Sequence, residues 1–285
     1  MDDARLTRLT HCPAPAKLNL FLHVIGRRSD GYHLLQSAFQ LLDWGDSLHF
    51  ERRSDSQIRR SQELPGIAHD ADLCLRAARL LQSATGCTLG ADITLDKQLP
   101  LGGGLGGGSS DAAPTLIALN RLWDTGLKRP QLAKLGLQLG ADVPFFIHGS
   151  DAFVEGIGEI ISPITLPENY YVILFPGVHI PTAEIFRAMD LTKASKALKI
   201  ADFASRETRN DLQGIACKLY PEVAAAVEWL EAFAPARMTG SGACVFAAVD
   251  SEEAASAIIA VCPPRWQAWK ARSLPRHPLH AWLEG

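Results

Sequence analysis

Six of the seven residues from Gly102 to Gly108 are glycine, and Ser109, Ser110 and Asp111 follow directly. Glycine loses more backbone freedom on folding than any other residue, so a run this dense is costly to order. It makes sense where a backbone must approach something closely or adopt positive φ. Ala112, Leu116, Leu119 and Trp123 then recur at helical spacing. The run therefore presents free N–H groups at a helix start, an arrangement that binds phosphate. Three phosphate loops compete. A P-loop needs Lys after the last glycine, and Ser109 stands there, so no charged partner reaches the β- and γ-phosphates. Gly102, Gly104 and Gly107 match the dinucleotide spacing, but a run of glycines matches by accident, and the surroundings lack the acidic residue that holds the ribose. The third is a loop that uses backbone N–H groups and serine hydroxyls in place of lysine.

The elements around the run are legible by period. Leu18–Ile25 alternates as a strand, and 26–31 reads as a turn. Residues 34–42 continue apolar, and 46–58 suggests one or two further strands. Asp72–Ala84 has helical spacing closed by Gly86, and Ala91–Leu99 is a short strand that runs into the glycines. Proline belongs in a first helical turn, so Pro114 places the helix start near Ser109 to Asp111. A helix follows from Pro130 to Leu139, then a strand from Ala152 to Ile161 broken by Gly156 and Gly158. The second half reads as strand Tyr170–Phe175, a helix from Thr182, a helix over Pro221–Phe233, strand Cys244–Val249, helix Glu252–Val261 and strand Trp266–Ala271. Lys193–Arg209 is weakly patterned. The alternation is that of an α+β chain with a two-layer sandwich in its second half.

Composition narrows the function classes. The chain has 285 residues, 47% hydrophobic and 21% charged, with net charge −3. That length suits one large or two ordinary domains, and the proline-bearing stretch 163–168 divides it into 1–162 and 163–285. A slightly acidic chain argues against broad nucleic-acid binding. The densest basic cluster, Arg52, Arg53, Arg59 and Arg60, is interrupted by acids and reads as a solvated edge. Six scattered cysteines without CxxC pairs suit buried thiols in a reducing compartment. The N-terminus has no leader-like apolar stretch, and no run is long enough to span a membrane, so the expectation is a cytoplasmic protein without membrane or nucleic-acid partners.

The stretch Pro100-Leu-Gly-Gly-Gly-Leu-Gly-Gly-Gly-Ser-Ser110 resembles the phosphate loop of the GHMP kinase superfamily. Four further segments match one branch in order: Ala14-Pro-Ala-Lys17-Leu-Asn19-Leu, Arg28-Ser-Asp-Gly31-Tyr32-His33, Leu139-Gly-Ala-Asp142-Val-Pro144, and Pro176-Gly-Val-His-Ile-Pro181-Thr with Phe186. Thr239-Gly-Ser-Gly-Ala-Cys-Val-Phe246 resembles the superfamily's third motif. The branch is the one that phosphorylates 4-diphosphocytidyl-2-C-methyl-D-erythritol on its 2-hydroxyl, in the non-mevalonate route to isoprenoid precursors.

The resemblance implies an α+β two-domain fold. Its N-terminal part is ribosomal-protein-S5-domain-2-like, with a five-stranded mixed sheet, and its C-terminal part is ferredoxin-like. It implies ATP and Mg²⁺ as cofactors, a cytidine diphosphate methylerythritol substrate, and a monomer or weak homodimer. Asp142 becomes the general base and Lys17 the cation beside it and the transferring phosphate. From the residues alone, the cap of a helix starting at Pro144 is the favoured reading of Asp142, and the resemblance reverses it. The backbone of Pro100, Leu101, Gly102, Gly103, Gly104, Leu105, Gly106, Gly107 and Gly108, with Ser109 and Ser110, would hold the triphosphate, Ser110 meeting Mg²⁺ unless Ser109 does. Lys97 is a lesser nucleotide-side residue. Tyr32 and Phe186 would stack the cytosine, His33 would meet its edge, Asn19 would hold the polyol and Thr182 would line the pocket. Two departures stand out: Asp111, where some relatives carry Asn, is expected to cap the helix or face Mg²⁺, and Asp72 replaces an adenine-side Asn. A homoserine- or mevalonate-type acceptor, or a nucleotide-binding regulator without activity, are the alternatives; Tyr32, His33 and Phe186 argue against the first, and Lys17 with Asp142 against the second.

Overall fold

The computed structural model describes residues 6–189, 194–201 and 207–283. Ten strands and eight helices form two sheet-based units among them. In the first, β1 (Arg8–Arg27) and β2 (His33–Arg53) pair antiparallel along nearly their full length. The free edge of β2 is shared: its Ser47–Arg53 half pairs with β4 (Gly90–Asp96), and its Leu35–Phe39 half with β5 (Ala152–Gly156). β6 (Ile160–Pro163) closes one end of the sheet, and β3 (Ile58–Arg60), parallel to β4, closes the other. The sheet thus has six strands, mixed, where five were expected, the three-residue β3 being the smallest.

Several boundaries differ from the periodic reading. β2 runs unbroken through 43–45 because the chain bulges rather than turns there. Its register with β1 slips between Pro15 and Lys17, and a Cβ on Gly45 would overlap the Ala14 carbonyl oxygen. Gly156 and Gly158 do not interrupt one strand. They sit at positive φ in the hairpin between β5 and β6. Lys193–Arg209 lies partly outside the described residues.

Helices α1 (Leu73–Thr85), α2 (Gly107–Leu122), α3 (Arg129–Leu139) and α4 (Val143–His148) cover one face of this sheet. Leu75, Leu81, Leu116, Leu119 and Phe145 meet Leu41, Leu48, Phe50 and Ile93 in its core. α2 starts at Gly107, so Pro114 is an interior residue and not the mark of a first turn. The helix forgoes the bond that residue 114 would have donated to the Ser110 carbonyl. Asp72 caps α1, accepting from the Cys74 and Leu75 amides at 2.8 and 3.3 Å.

The second unit is a four-stranded antiparallel sheet in the order β10 (Gln267–Arg272), β7 (Tyr170–Phe175), β9 (Val245–Val249), β8 (Ala236–Met238). That order and its βαββαβ connectivity are ferredoxin-like. Strand alternation sends Val172, Leu174, Val245 and Ala247 toward α5 (Thr182–Arg187), α6 (Gln213–Leu219), α7 (Pro221–Glu231) and α8 (Glu252–Ala260). Tyr171, Ile173 and Phe246 point the other way, onto Ala16, Leu18, Leu99 and Leu105 of the first unit. This shared core seats the third-motif segment 239–244 against the glycine run. The last residues return to the first unit: the Leu274 amide donates to the Leu41 carbonyl, and Leu279 joins its core.

Candidate active site

The glycine run is held with its carbonyls turned into the protein. The Ala243 and Cys244 amides donate to the Gly102 and Gly103 carbonyls, each at 3.1 Å, and the Lys17 amide donates to that of Leu105 at 3.0 Å. Thr239 Oγ1 donates to the Gly104 carbonyl at 3.3 Å. The amides from Gly106 to Ser109 have no acceptor within α2, since they open the helix. With the carbonyls occupied, what remains for a ligand is a row of N–H donors at the positive end of a 16-residue helix. Close approach explains two of the glycines. A Cβ on Gly104, at φ +74°, would overlap the Thr239 carbonyl oxygen. One on Gly106, at φ +75°, would stand 3.1 Å from Lys17 Cε and 3.0 Å from Phe146 Cζ.

Beside this cradle lies a cleft of about 640 Å³, lined from both units. Lys17 enters it from β1 with its side chain almost fully buried. Its ammonium lies 3.4 Å from Asp142 Oδ2, donates to Asn19 Oδ1, and sits 4.5 Å from the Phe39 ring centroid. Asp142 occupies the N-cap position of α4, yet its side chain makes no cap hydrogen bond. The carboxylate instead faces Lys17 and keeps 29% of its side-chain surface exposed. A base needs just such access to a hydroxyl.

The remaining sequence-predicted residues divide. Asn19 lines the cleft, but Lys17 takes its oxygen and its Nδ2 donates to Ser37 Oγ at 3.0 Å. It orients the lysine, and its amide keeps a second N–H and a second oxygen lone pair. Ser109 opens on the cleft. Ser110 does not: it is fully buried and its hydroxyl donates to the Pro15 carbonyl at 2.6 Å. The structure thus turns Ser110 away from the cleft and leaves Ser109 as the loop serine that opens on it, because one residue along a helix rotates a side chain away from its neighbour's face. Asp111 neither caps α2 nor faces the cleft. Lys97 is clamped between Asp111 Oδ2 at 2.8 Å and Asp46 Oδ2 at 2.6 Å. Burial pushes the Asp111 carboxyl up against the pull of Lys97. Burial presses Lys97 down, but the two carboxylates outweigh it and leave it above the usual lysine range.

At the far end, Phe186 lines the cleft and stacks on His33, their centroids 5.1 Å apart and tilted by 30°. Burial and then Arg27 lower the His33 pKa, so the ring is neutral near pH 7 and offers one donor and one acceptor. Thr182 Oγ1 lies 2.8 Å from Ser241 Oγ. Tyr32 is 60% exposed, on the turn between β1 and β2 outside the cleft lining. Pro100, Leu101 and Leu105 line the cleft with the glycines. A smaller side pocket of about 250 Å³ opens beyond Lys97, walled by Ile67, Leu73, Leu95 and Leu101. Asp72, at its edge, is committed to its helix cap and to Arg60 Nη1 at 3.1 Å. Two features escaped the sequence reading. The 239–244 segment fastens the glycine run, and His179 packs its Nδ1–Cε1 edge on Gly102, where an added Cβ would overlap both atoms. Tertiary clamps of this kind leave no local signal.

A helix-start cradle of amides facing a buried lysine, whose aspartate partner stays open to the cleft, defines a phosphoryl-transfer type of cleft. Comparison with known proteins agrees. The GHMP kinases N terminal domain model matches residues 72–150, and the GHMP kinases C terminal model matches 188–265. The 4-diphosphocytidyl-2-C-methyl-D-erythritol kinase of Aromatoleum aromaticum is 64% identical over 99% of this chain and 100% of its own. Its counterpart in an Azoarcus species is 65% identical over 97% and 98%. The crystal structure of a 4-(cytidine 5'-diphospho)-2C-methyl-D-erythritol kinase superposes with TM-score 0.79 at 33% identity, covering 93% of this chain and 98% of that one. Homoserine kinase from Cytophaga hutchinsonii shares the fold, with TM-score 0.67 at 16% identity. The chain belongs to the GHMP kinases and, within them, to the 4-diphosphocytidyl-2-C-methyl-D-erythritol kinase family.

Proposed function

We propose that this protein transfers the γ-phosphate of ATP to the 2-hydroxyl of 4-diphosphocytidyl-2-C-methyl-D-erythritol, giving the 2-phosphate and ADP. The observation that carries this is the Lys17–Asp142 pair at 3.4 Å beneath the glycine cradle, in a chain alike over its whole length to kinases of that name. Asp142 accepts the proton of the 2-hydroxyl as the new O–P bond forms and the bond to ADP breaks. Lys17, held by Asn19, offsets negative charge on the transferring group. The amides from Gly106 to Ser109 hold the phosphates, and the apolar side pocket beyond Lys97 suits an adenine ring.

No cluster of three His, Cys, Asp or Glu side chains suited to a metal exists among the described residues. Mg²⁺ is usually bound through a few protein oxygens, water and nucleotide phosphates, and the Ser109 hydroxyl on the cleft wall is an oxygen of that kind. Bound there, Mg²⁺ would neutralise phosphate charge. Ser109 is the hydroxyl available to it, and a Cβ on Gly140 would lie 3.3 Å from that Oγ, which sets Ser109 beside the Asp142 segment. Phe186 and His33 form the cytosine end, with Tyr32 on the neighbouring turn. A homoserine or mevalonate acceptor has no base to use them. The test is Asp142→Asn, which keeps the shape and removes the base. With the cytidylyl substrate, kcat falls roughly 10²-fold or more while ATP still binds. An unchanged kcat would remove Asp142 from the mechanism.

A further inference from the structure

We infer that His179 is a specificity residue whose imidazole takes an oxygen of the diphosphate joining the substrate's base to its polyol. This rests on the reading of the cleft as that of a cytidylyl-substrate kinase.

Position comes first. His179 precedes Ile180, Pro181 and α5, the helix that carries Phe186 at the base end. It is exposed and lines the cleft. On its other side it packs against Gly102, at the start of the phosphate loop. The two ends of the cleft are linked through the same loops. Thr182 bonds Ser241, and a Cβ on the adjacent Gly240 would lie 3.3 Å from Asn19 Oδ1 at the reacting end. A substrate whose base meets Phe186 and whose hydroxyl meets Asp142 must lay its diphosphate across this middle ground.

Charge points the same way. The cleft must receive two polyphosphates. Among the described residues lining it, the side chains able to carry positive charge are Lys17, Lys97 and His179. Lys17 is paired with Asp142, and Lys97 lies between Asp46 and Asp111. His179 has neither commitment. Its Nδ1 edge lies against Gly102, which leaves Nε2 toward the cleft; as the Nε2–H tautomer or when protonated, it offers that N–H to a phosphate oxygen.

The experiment compares CDP with cytidine as competitive inhibitors against the cytidylyl substrate, since the two differ by the diphosphate alone. His179→Ala should narrow the affinity gap between them by ~10-fold or more, as loss of a hydrogen bond to a charged group requires. KM for the cytidylyl substrate should rise by a similar factor, and KM for ATP should stay within about twofold. His179→Leu, of similar bulk and without a donor, should behave as His179→Ala does, and His179→Gln should recover part of the gap. A general loosening of the loop would weaken CDP and cytidine together and leave the gap intact. An unchanged gap in both the Ala and Leu variants overturns the proposal, as does a rise confined to KM for ATP, which would assign the imidazole to the nucleotide. A wild-type enzyme neither turning over the cytidylyl substrate nor inhibited by CDP would overturn the underlying substrate reading as well, a failure distinct from these.

Discussion

Gly104→Ala puts the architecture of the phosphate cradle under direct strain. Gly104 sits at φ +74°, where an L residue costs ~1–2 kcal/mol. Its added Cβ would also overlap the Thr239 carbonyl oxygen and stand 3.0 Å from that of Gly242. Backbone cannot swing aside as a side chain does, so the glycine run and the 239–244 segment must part. A misplacement of about 1 Å at a reacting centre is worth ~10²-fold in rate. Gly86→Ala is the control. Gly86 closes α1 at φ +67° with nothing within 4 Å of the new Cβ, so it carries the same backbone penalty and no clash. Urea unfolding should show Gly86→Ala destabilised by ~1–2 kcal/mol with kcat/KM unchanged. Gly104→Ala should lose more stability and ~100-fold in kcat/KM. Wild-type activity in Gly104→Ala, or equal activity losses in the two variants, would refute the clamp.

Ser109→Ala should raise the Mg²⁺ concentration needed for half-maximal rate and leave stability almost unchanged. Ser110→Ala should do the reverse, losing ~1–2 kcal/mol with the buried bond to Pro15; exchanged phenotypes in a Mg²⁺ titration would return the metal role to Ser110. The C-terminal return carries a pH signature. His277 is buried, its Nδ1 accepts from the Leu279 amide at 3.0 Å, and its Nε2 has no hydrogen-bond partner among the described residues. Burial, with His280 adding to it, pushes its pKa down from 6.5 to about 4. The unfolded chain therefore takes up the proton first, so the His277 contribution is complete above pH 6.5 and drains away as pH falls toward 4, by up to about 3 kcal/mol. In His277→Asn, which keeps the acceptor without titrating, the slope of stability against pH over that window should flatten; parallel slopes in urea unfolding would reject the assignment.

What the sequence made legible was mostly local. Periodicity located α1 and α3 within a few residues because each buries one face, and β7, β9 and β10 because short apolar runs bounded by turns mark them, β7 and β9 being buried on both faces. Pro114 misled, since the packing of α2 tolerates an interior proline and lets the last two glycines begin the helix. β2 was read as pieces because it bulges at 42–44, three residues opposing Ala16 of β1 alone, and that pairing is set by a long-range partner. At the site, residue types were informative and orientation was not. Ser109 and Ser110 look alike in sequence, and only the helix phase separates a cleft hydroxyl from a core one. Asp111 looked exposed to phosphate until Lys97, brought over by β4, claimed it. The 239–244 clamp and the contact of His179 with Gly102 depend on the docking of two sheets, which no local pattern encodes.

The most direct measurement is ADP release by the wild-type enzyme, coupled to NADH oxidation, with 4-diphosphocytidyl-2-C-methyl-D-erythritol, homoserine and mevalonate offered in turn. The cleft described here predicts turnover with the cytidylyl substrate and none above background with the other two. Turnover with homoserine or mevalonate and none with the cytidylyl substrate would contradict it.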